Sequence, residues 1–117
     1  MNTNLAPLSS TQDNRQLMED LARRVTPTNG AVINAVYEFQ FVGDPGRYFM
    51  AITADGAALK PTVDTEDVCR LGLYAEDLRA LLDGAAHLRG LFVAGRLRVF
   101  SHMAAAMRLE GLFSLPL

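Results

Sequence analysis

The sequence predicts an α+β domain in which a five-stranded, mostly antiparallel sheet is covered on one face by helices. Three observations carry that reading. Apolar residues recur at helical spacing near both ends and through two middle segments, and they alternate with polar ones in five short stretches between. Turn chemistry separates the first three alternating stretches, Gly43-Asp44-Pro45-Gly46 and then Asp55-Gly56, so these strands double back as an antiparallel meander. Finally, 117 residues, 50% of them hydrophobic, suit one compact domain around one oily core.

Taken in order, residues 1 to 11 are polar, carry Pro7 and have nothing periodic to bury, so a frayed tail is expected, with the domain proper over 12–117. A first helix is expected from Gln12 to Val25. Leu17, Leu21 and Val25 fall at i, i+4 and i+8 with Met18 and Ala22 beside them, while Arg15, Glu19, Asp20, Arg23 and Arg24 face water. Thr26-Pro27 stops it and Asn29-Gly30 completes a turn. Ala31 to Phe41 reads as the clearest strand, and Arg47 to Ala54 returns with Tyr48, Met50 and Ile52 on its apolar face. A short strand around Ala58 to Lys60 ends at Pro61, and Val68 to Leu73 is a fourth, with Cys69, Leu71 and Leu73 on one face.

Two apolar helices follow, broken at Gly84, with Leu78, Leu81 and Leu82 on one face of the first and Leu88, Leu91 and Phe92 on the second. After Gly95, Arg96 to Phe100 alternates as a fifth strand. The last helix, from about His102 to Leu112, opens behind Ser101 as its N-cap and holds three alanines between Met103 and Met107.

Charge and motif content exclude several functions. A net charge of −2 with scattered Lys and Arg is no nucleic-acid footprint and no polybasic anchor. No apolar run approaches the roughly 20 residues a membrane span needs. The N-terminus lacks the regions of a secretory signal, and the closing Ser114-Leu115-Pro116-Leu117 is not the peroxisomal Ser-Lys-Leu, so a cytoplasmic location is expected. The lone Cys69 rules out an internal disulfide and reads as core. His87 and His102 have no ligand partner at metal spacing, and Glu66-Asp67 and Glu76-Asp77 are adjacent pairs whose side chains diverge. Neither a catalytic set, a metal site nor a cofactor is therefore expected. If a titratable group acted inside the domain, the candidates are His102, Tyr37, Tyr48 and Glu38.

The oily residues are of types that can line a cavity. Met50, Met103 and Met107 are flexible and polarizable, and Phe39, Phe41, Phe49, Phe92, Phe100 and Phe113, with no Trp, make broad apolar walls that ask for few hydrogen bonds. Taken singly, each is better accounted for as plain core. A longer pattern goes further. It runs without a gap through Asp77, Leu78, Leu81, Leu82, Gly84, Leu91, Phe92, Gly95, Arg96, Leu97, Arg98, Val99, Met103, Ala106, Met107, Arg108 and Leu109, and it resembles the sterol carrier protein 2 domain family. Two positions depart from that family: Ser101-His102 stands where Gly-Asn or Gly-Asp usually precedes the first Met, and His87-Leu88 where Asn-Pro is usual.

The resemblance implies non-enzymatic binding or transfer of a hydrophobic small molecule, a fatty acid, acyl-CoA or sterol-like guest, in an internal tunnel lined by Leu91, Phe92, Met103 and Met107. Phe39, Phe41, Met50, Leu73 and Phe113 complete the expected ligand-binding set. Transient membrane contact fits the same reading, and a homodimer fits the alternative. The alternative is an accessory domain that dimerises or presents substrate for an enzyme acting on hydrophobic molecules; a small isomerase or cyclase ranks last.

Overall fold

A computed structural model of the chain describes residues 11–113; of the tail expected over residues 1–11, residues 1–10 lie outside them and Thr11 opens the first helix, and residues 114–117 also lie outside. Helix α1 (Thr11–Ala22) buries Leu17, Met18 and Leu21 and leaves Arg15 in water, as its apolar spacing requires. Just beyond it, Arg24 donates hydrogen bonds to the backbone carbonyls of Leu82 and Leu112, so one guanidinium holds the ends of two other helices.

The next segment departs from expectation. Residues 31–33, read above as strand, close helix α2 (Pro27–Ile33), and β1 spans only Ala35–Phe41. The cause is a closed capping box: the Asn29 N–H donates to Thr26 Oγ1 (3.2 Å) while the Thr26 N–H donates to Asn29 Oδ1 (2.7 Å). Pro27 sits in the first turn, where its missing N–H costs nothing, and Asn34 ends the helix in the left-handed region at φ 40°.

The sheet has the order β3-β2-β1-β4-β5. β1 pairs antiparallel with β2 (Tyr48–Thr53), and β2 with β3 (Gly56–Lys60), which is the expected meander. β4 (Val68–Leu73) returns parallel to β1, and β5 (Arg98–Val99) lies antiparallel on β4, so the sheet is mixed with antiparallel pairing predominant. Register puts Tyr37 between Met50 and Cys69 and Phe39 between Tyr48 and Leu71, all on the face the helices cover. Glu38, Phe49 and Arg70 share the opposite face.

β5 is shorter than the sequence suggested because the end of α4 (Leu88–Val93) consumes the residues before it. Gly95 adopts φ 77°, and the N–H groups of Arg96 and Leu97 both turn back to the Leu91 carbonyl, at 2.8 and 3.1 Å. Helix α3 (Ala75–Leu82) precedes α4 and packs against α1, where Arg79 pairs with Asp20 at 2.8 Å. The expected final helix is two, α5 (Met103–Arg108) and α6 (Glu110–Phe113), because the N–H groups of Leu109 and Leu112 bond back only three residues. Ser101 is not the cap. Its hydroxyl donates to the Val68 carbonyl (2.8 Å) and accepts the Arg70 N–H (3.2 Å), so it extends the edge of β4, and His102 takes the N-cap position at φ 59°.

Candidate functional site

The space between sheet and helices starts from an aromatic row on β1. Tyr37, Phe39 and Phe41 stand side by side with neighbouring ring centroids 6.4 Å apart, and Tyr48 meets the Phe41 ring edge-on at 5.5 Å. Met50 and Ile52 from β2 and Leu71 and Leu73 from β4 extend this wall, all buried. Opposite it, α5 presents Ala105 and Ala106, whose small side chains let the helix come close to the sheet. The Tyr37 hydroxyl then donates to the Ala105 carbonyl at 2.6 Å. Burial pushes the Tyr37 phenol well above its ordinary pKa, with a smaller push from Cys69, and it raises the Cys69 thiol beside it to about 11.

The nine expected ligand-binding residues divide by depth. Phe39, Phe41, Met50, Leu73, Leu91 and Phe113 are buried, and Met107 is half-buried against the same cluster. Phe92 and Met103 instead reach the surface, 39% and 44% exposed, and Val93 beside Phe92 is 84% exposed. Phe41 also borders an open groove of about 360 Å³ with Tyr74, Arg96 and Arg98. The helices that carry the C-terminal members touch, since α6 packs on both α4 and α5. Apolar side chains are thus present at the surface and in the interior of the same three-helix group.

The titratable candidates are dispersed. His102 is exposed and its Nε2 lies 2.9 Å from Asp67 Oδ1. The Tyr48 hydroxyl donates to Asp44 Oδ2 at 2.6 Å, the same oxygen that accepts from the Asn14 amide of α1 at 2.8 Å. Glu38 is fully buried but on the far face of the sheet, where its carboxylate accepts bonds from Arg47 (2.8 and 3.0 Å), Arg70 (3.1 Å) and Gln40 (2.6 Å). The hydrogen bonds from Arg47 hold that carboxyl below the usual range. Among the described residues no group of three His, Cys, Asp or Glu could hold a metal, and no helix is long and apolar enough to cross a membrane.

The polar positions of the C-terminal pattern serve as scaffold. Asp77, buried on α3, accepts from Arg96 Nε at 2.8 Å, and the Arg96 guanidinium lies 4.8 Å over the Tyr74 ring. That clamp sets the course of the chain from α4 into β5. Arg96 was expected to open the fifth strand and the pair went unread, although acidic and basic residues in a shared pattern were the available signal.

Among curated proteins none matches this sequence. Solved structures do match in fold. Sterol Carrier Protein 2 from Yarrowia lipolytica in its apo form is 20% identical over 97% of this chain and 95% of that one, with a TM-score of 0.61. A UbiJ-SCP2 ubiquinone synthesis protein is 15% identical over 95% and 93%, also at 0.61. Palmitated SCP2L2 from Aedes aegypti is 13% identical over 82% and 93%, at 0.59. The sequence profile of the SCP-2 sterol transfer family matches residues 13–114, which take in all five strands and the α4–α6 group. The chain belongs to the SCP-2 sterol transfer family.

Proposed function

We propose that this domain binds and passes on a lipid-like hydrophobic molecule, a fatty acid, acyl-CoA or sterol-like guest, without chemical change. The guest lies between the sheet wall and α4–α6, with Leu91, Phe92, Met103, Met107 and Phe113 on the helix side and Phe39, Phe41, Met50 and Leu73 on the sheet side. The observation that carries this reading is the exposure of Phe92, Val93 and Met103 on helices whose inner faces are buried in the same apolar cluster. Exposed apolar side chains grouped this way mark contact with something apolar. Each methylene moved from water into that setting contributes about 0.8 kcal/mol, which makes chain length count for more than head-group identity. The flexible thioethers of Met103 and Met107 suit guests of differing shape.

Native mass spectrometry of protein purified from cells, with thermal melts in palmitate and in a sterol, tests this. A retained apolar guest is expected, and palmitate at about 100 times its Kd stabilises by roughly 2.7 kcal/mol. Empty protein whose melting point no lipid moves would end the proposal. A second reading rests on the same exposed residues: they meet another chain, as an accessory domain that dimerises or presents substrate to an enzyme. A chain of this fold is described as a ubiquinone synthesis protein. Sedimentation over a range of concentrations separates the two, since a carrier stays monomeric whether loaded or empty.

A further inference from the structure

At one end of the sheet, where β2 and β3 meet the start of α1, lies a groove of about 430 Å³ remote from the helical apolar group. Its described lining includes Arg15, Arg47 and Lys60 and no carboxylate, with Phe49, Leu59 and Pro61 as its apolar part. That is unexpected in a chain of net charge −2. These cations come from three elements brought together only by folding. Lys60, opposite Phe49 in the β2–β3 register, has no hydrogen bond or ion pair among the described residues, and Arg15 has only a loose pair with Glu19 at 3.9 Å.

Arg47 is the pre-oriented member. Glu38, buried beneath it, takes its Nε at 2.8 Å and its Nη2 at 3.0 Å, which leaves the Nη1 side of the guanidinium uncommitted. The same carboxylate also accepts from Arg70, so two guanidinium groups share one negative charge and the neighbourhood keeps a positive excess. The Arg47 guanidinium lies 5.5 Å over the Phe49 ring, which places cation and apolar surface side by side. Asp44, a further nearby acid, is occupied by Asn14, the Gly46 N–H and the Tyr48 hydroxyl.

We propose that this groove binds an organic phosphate, with the phosphate held by Arg15, Arg47 and Lys60 and an apolar body resting on Phe49 and Leu59. Phosphate fits better than a lone carboxylate because it offers three acceptor oxygens and a second negative charge to three cations, and a guanidinium held at one edge presents its other edge without further ordering. The volume falls within the roughly 300–1,000 Å³ of small-molecule sites. The ester is either a free molecule or the head group of a phospholipid, and the chemistry is shared.

The whole chain is titrated with adenosine monophosphate while amide signals are followed by NMR, and in parallel is sedimented with phosphatidylcholine vesicles with and without phosphatidic acid. A free ester gives saturable shifts confined to residues 46–49 and 59–60 and to Arg15. A head group gives sedimentation only with phosphatidic acid. Either result supports the site. Lys60→Gln and Arg15→Gln each weaken binding roughly five-fold, and together about 30-fold, for solvent-facing cations next to phosphate. Arg89→Gln, the same charge change on exposed α4, leaves it unaltered. Both groove positions are exposed, so the variants should melt like the parent and retain cell-derived lipid as the parent does; the site thus stands or falls apart from the lipid-cargo reading. No response to either probe, or an equal loss in Arg89→Gln, overturns it.

Discussion

Tyr37→Phe removes one oxygen from the place where α5 is fastened to the sheet. The side chain is 0% exposed and its hydroxyl donates to the Ala105 carbonyl at 2.6 Å. That carbonyl lies in the last turn of α5, where backbone acceptors run out of intrahelical donors, and the Leu109 N–H that could have served it bonds Ala106 instead. Phenylalanine keeps the ring packing against Phe39 but leaves a buried acceptor bare, at a cost of about 1–3 kcal/mol. With an unfolding entropy of about 2.1 cal/mol/K per residue, the melting temperature of a chain this size falls by roughly 4–12 °C. Differential scanning calorimetry reads the loss, and hydrogen exchange places it in the α5 amides. The variant also differs at high pH. The folded phenol has a raised pKa, so wild-type stability is full below the ordinary value of 10.0 and is lost above it, whereas Tyr37→Phe loses this contribution to the alkaline decline. A variant melting within about 1 °C of wild type would refute the reasoning, because it would mean that water already reaches the carbonyl.

Gly30→Ala should lower stability by about 3 kcal/mol in urea titrations, because the added carbon would stand 2.0 Å from the Thr53 carbonyl oxygen, a backbone atom that cannot swing aside. A midpoint close to wild type would mean that α2 can slide on β2. Glu38 has a lowered pKa, so its contribution is complete above the ordinary carboxylate value of 4.5 and is lost as pH falls below it. Glu38→Gln should therefore cost about 1–2 kcal/mol at neutral pH and flatten the acid limb of the stability profile; an unchanged acid limb counts against the cluster. Cys69, 1% exposed and with its thiol raised to about 11, should react with Ellman's reagent at pH 8 only as fast as the domain opens, and at once in denaturant. Immediate reaction of the native thiol would contradict the packing around β4.

What was readable in the sequence is what local chemistry decides. Gly43 to Gly46 and Asp55-Gly56 left the meander no other course, and alternation in Cys69, Leu71 and Leu73 put β4 on the correct face. α2 was hidden because its capping box uses Asn29 where Glu or Gln usually stands, and because the Ala-Val-Ile run before β1 has the β-branched character of a strand. Ser101 looked like a cap because serine before a helix usually is one, yet its hydroxyl had a better use bridging Val68 and Arg70 across a strand edge. The groove cations were unreadable for a different reason. Arg15, Arg47 and Lys60 share no spacing, and only the meander and the lie of α1 bring them to one place.

The lipid reading meets the same divide between local and spatial information. Hydropathy registers that Phe39 or Leu91 leaves water, and it registers the same whether the atoms that replace water belong to a side chain or to a guest. The informative residues are therefore the ones that fail to leave water. Phe92, Val93 and Met103 stay exposed on helices of six residues each, both packed on a four-residue α6 that the Leu112 N–H ties back to the Leu109 carbonyl. Such short helices owe little stability to their own hydrogen bonds and much to what they pack on. They can part from one another at lower cost than the sheet can bend, since its β1–β4 and β1–β2 ladders are continuous. A guest admitted there would find the aromatic row of β1 as a fixed wall and the thioethers of α5 as a yielding one. The Tyr37 hydroxyl spans the two, which is why removing it should loosen the yielding side and leave the sheet in place.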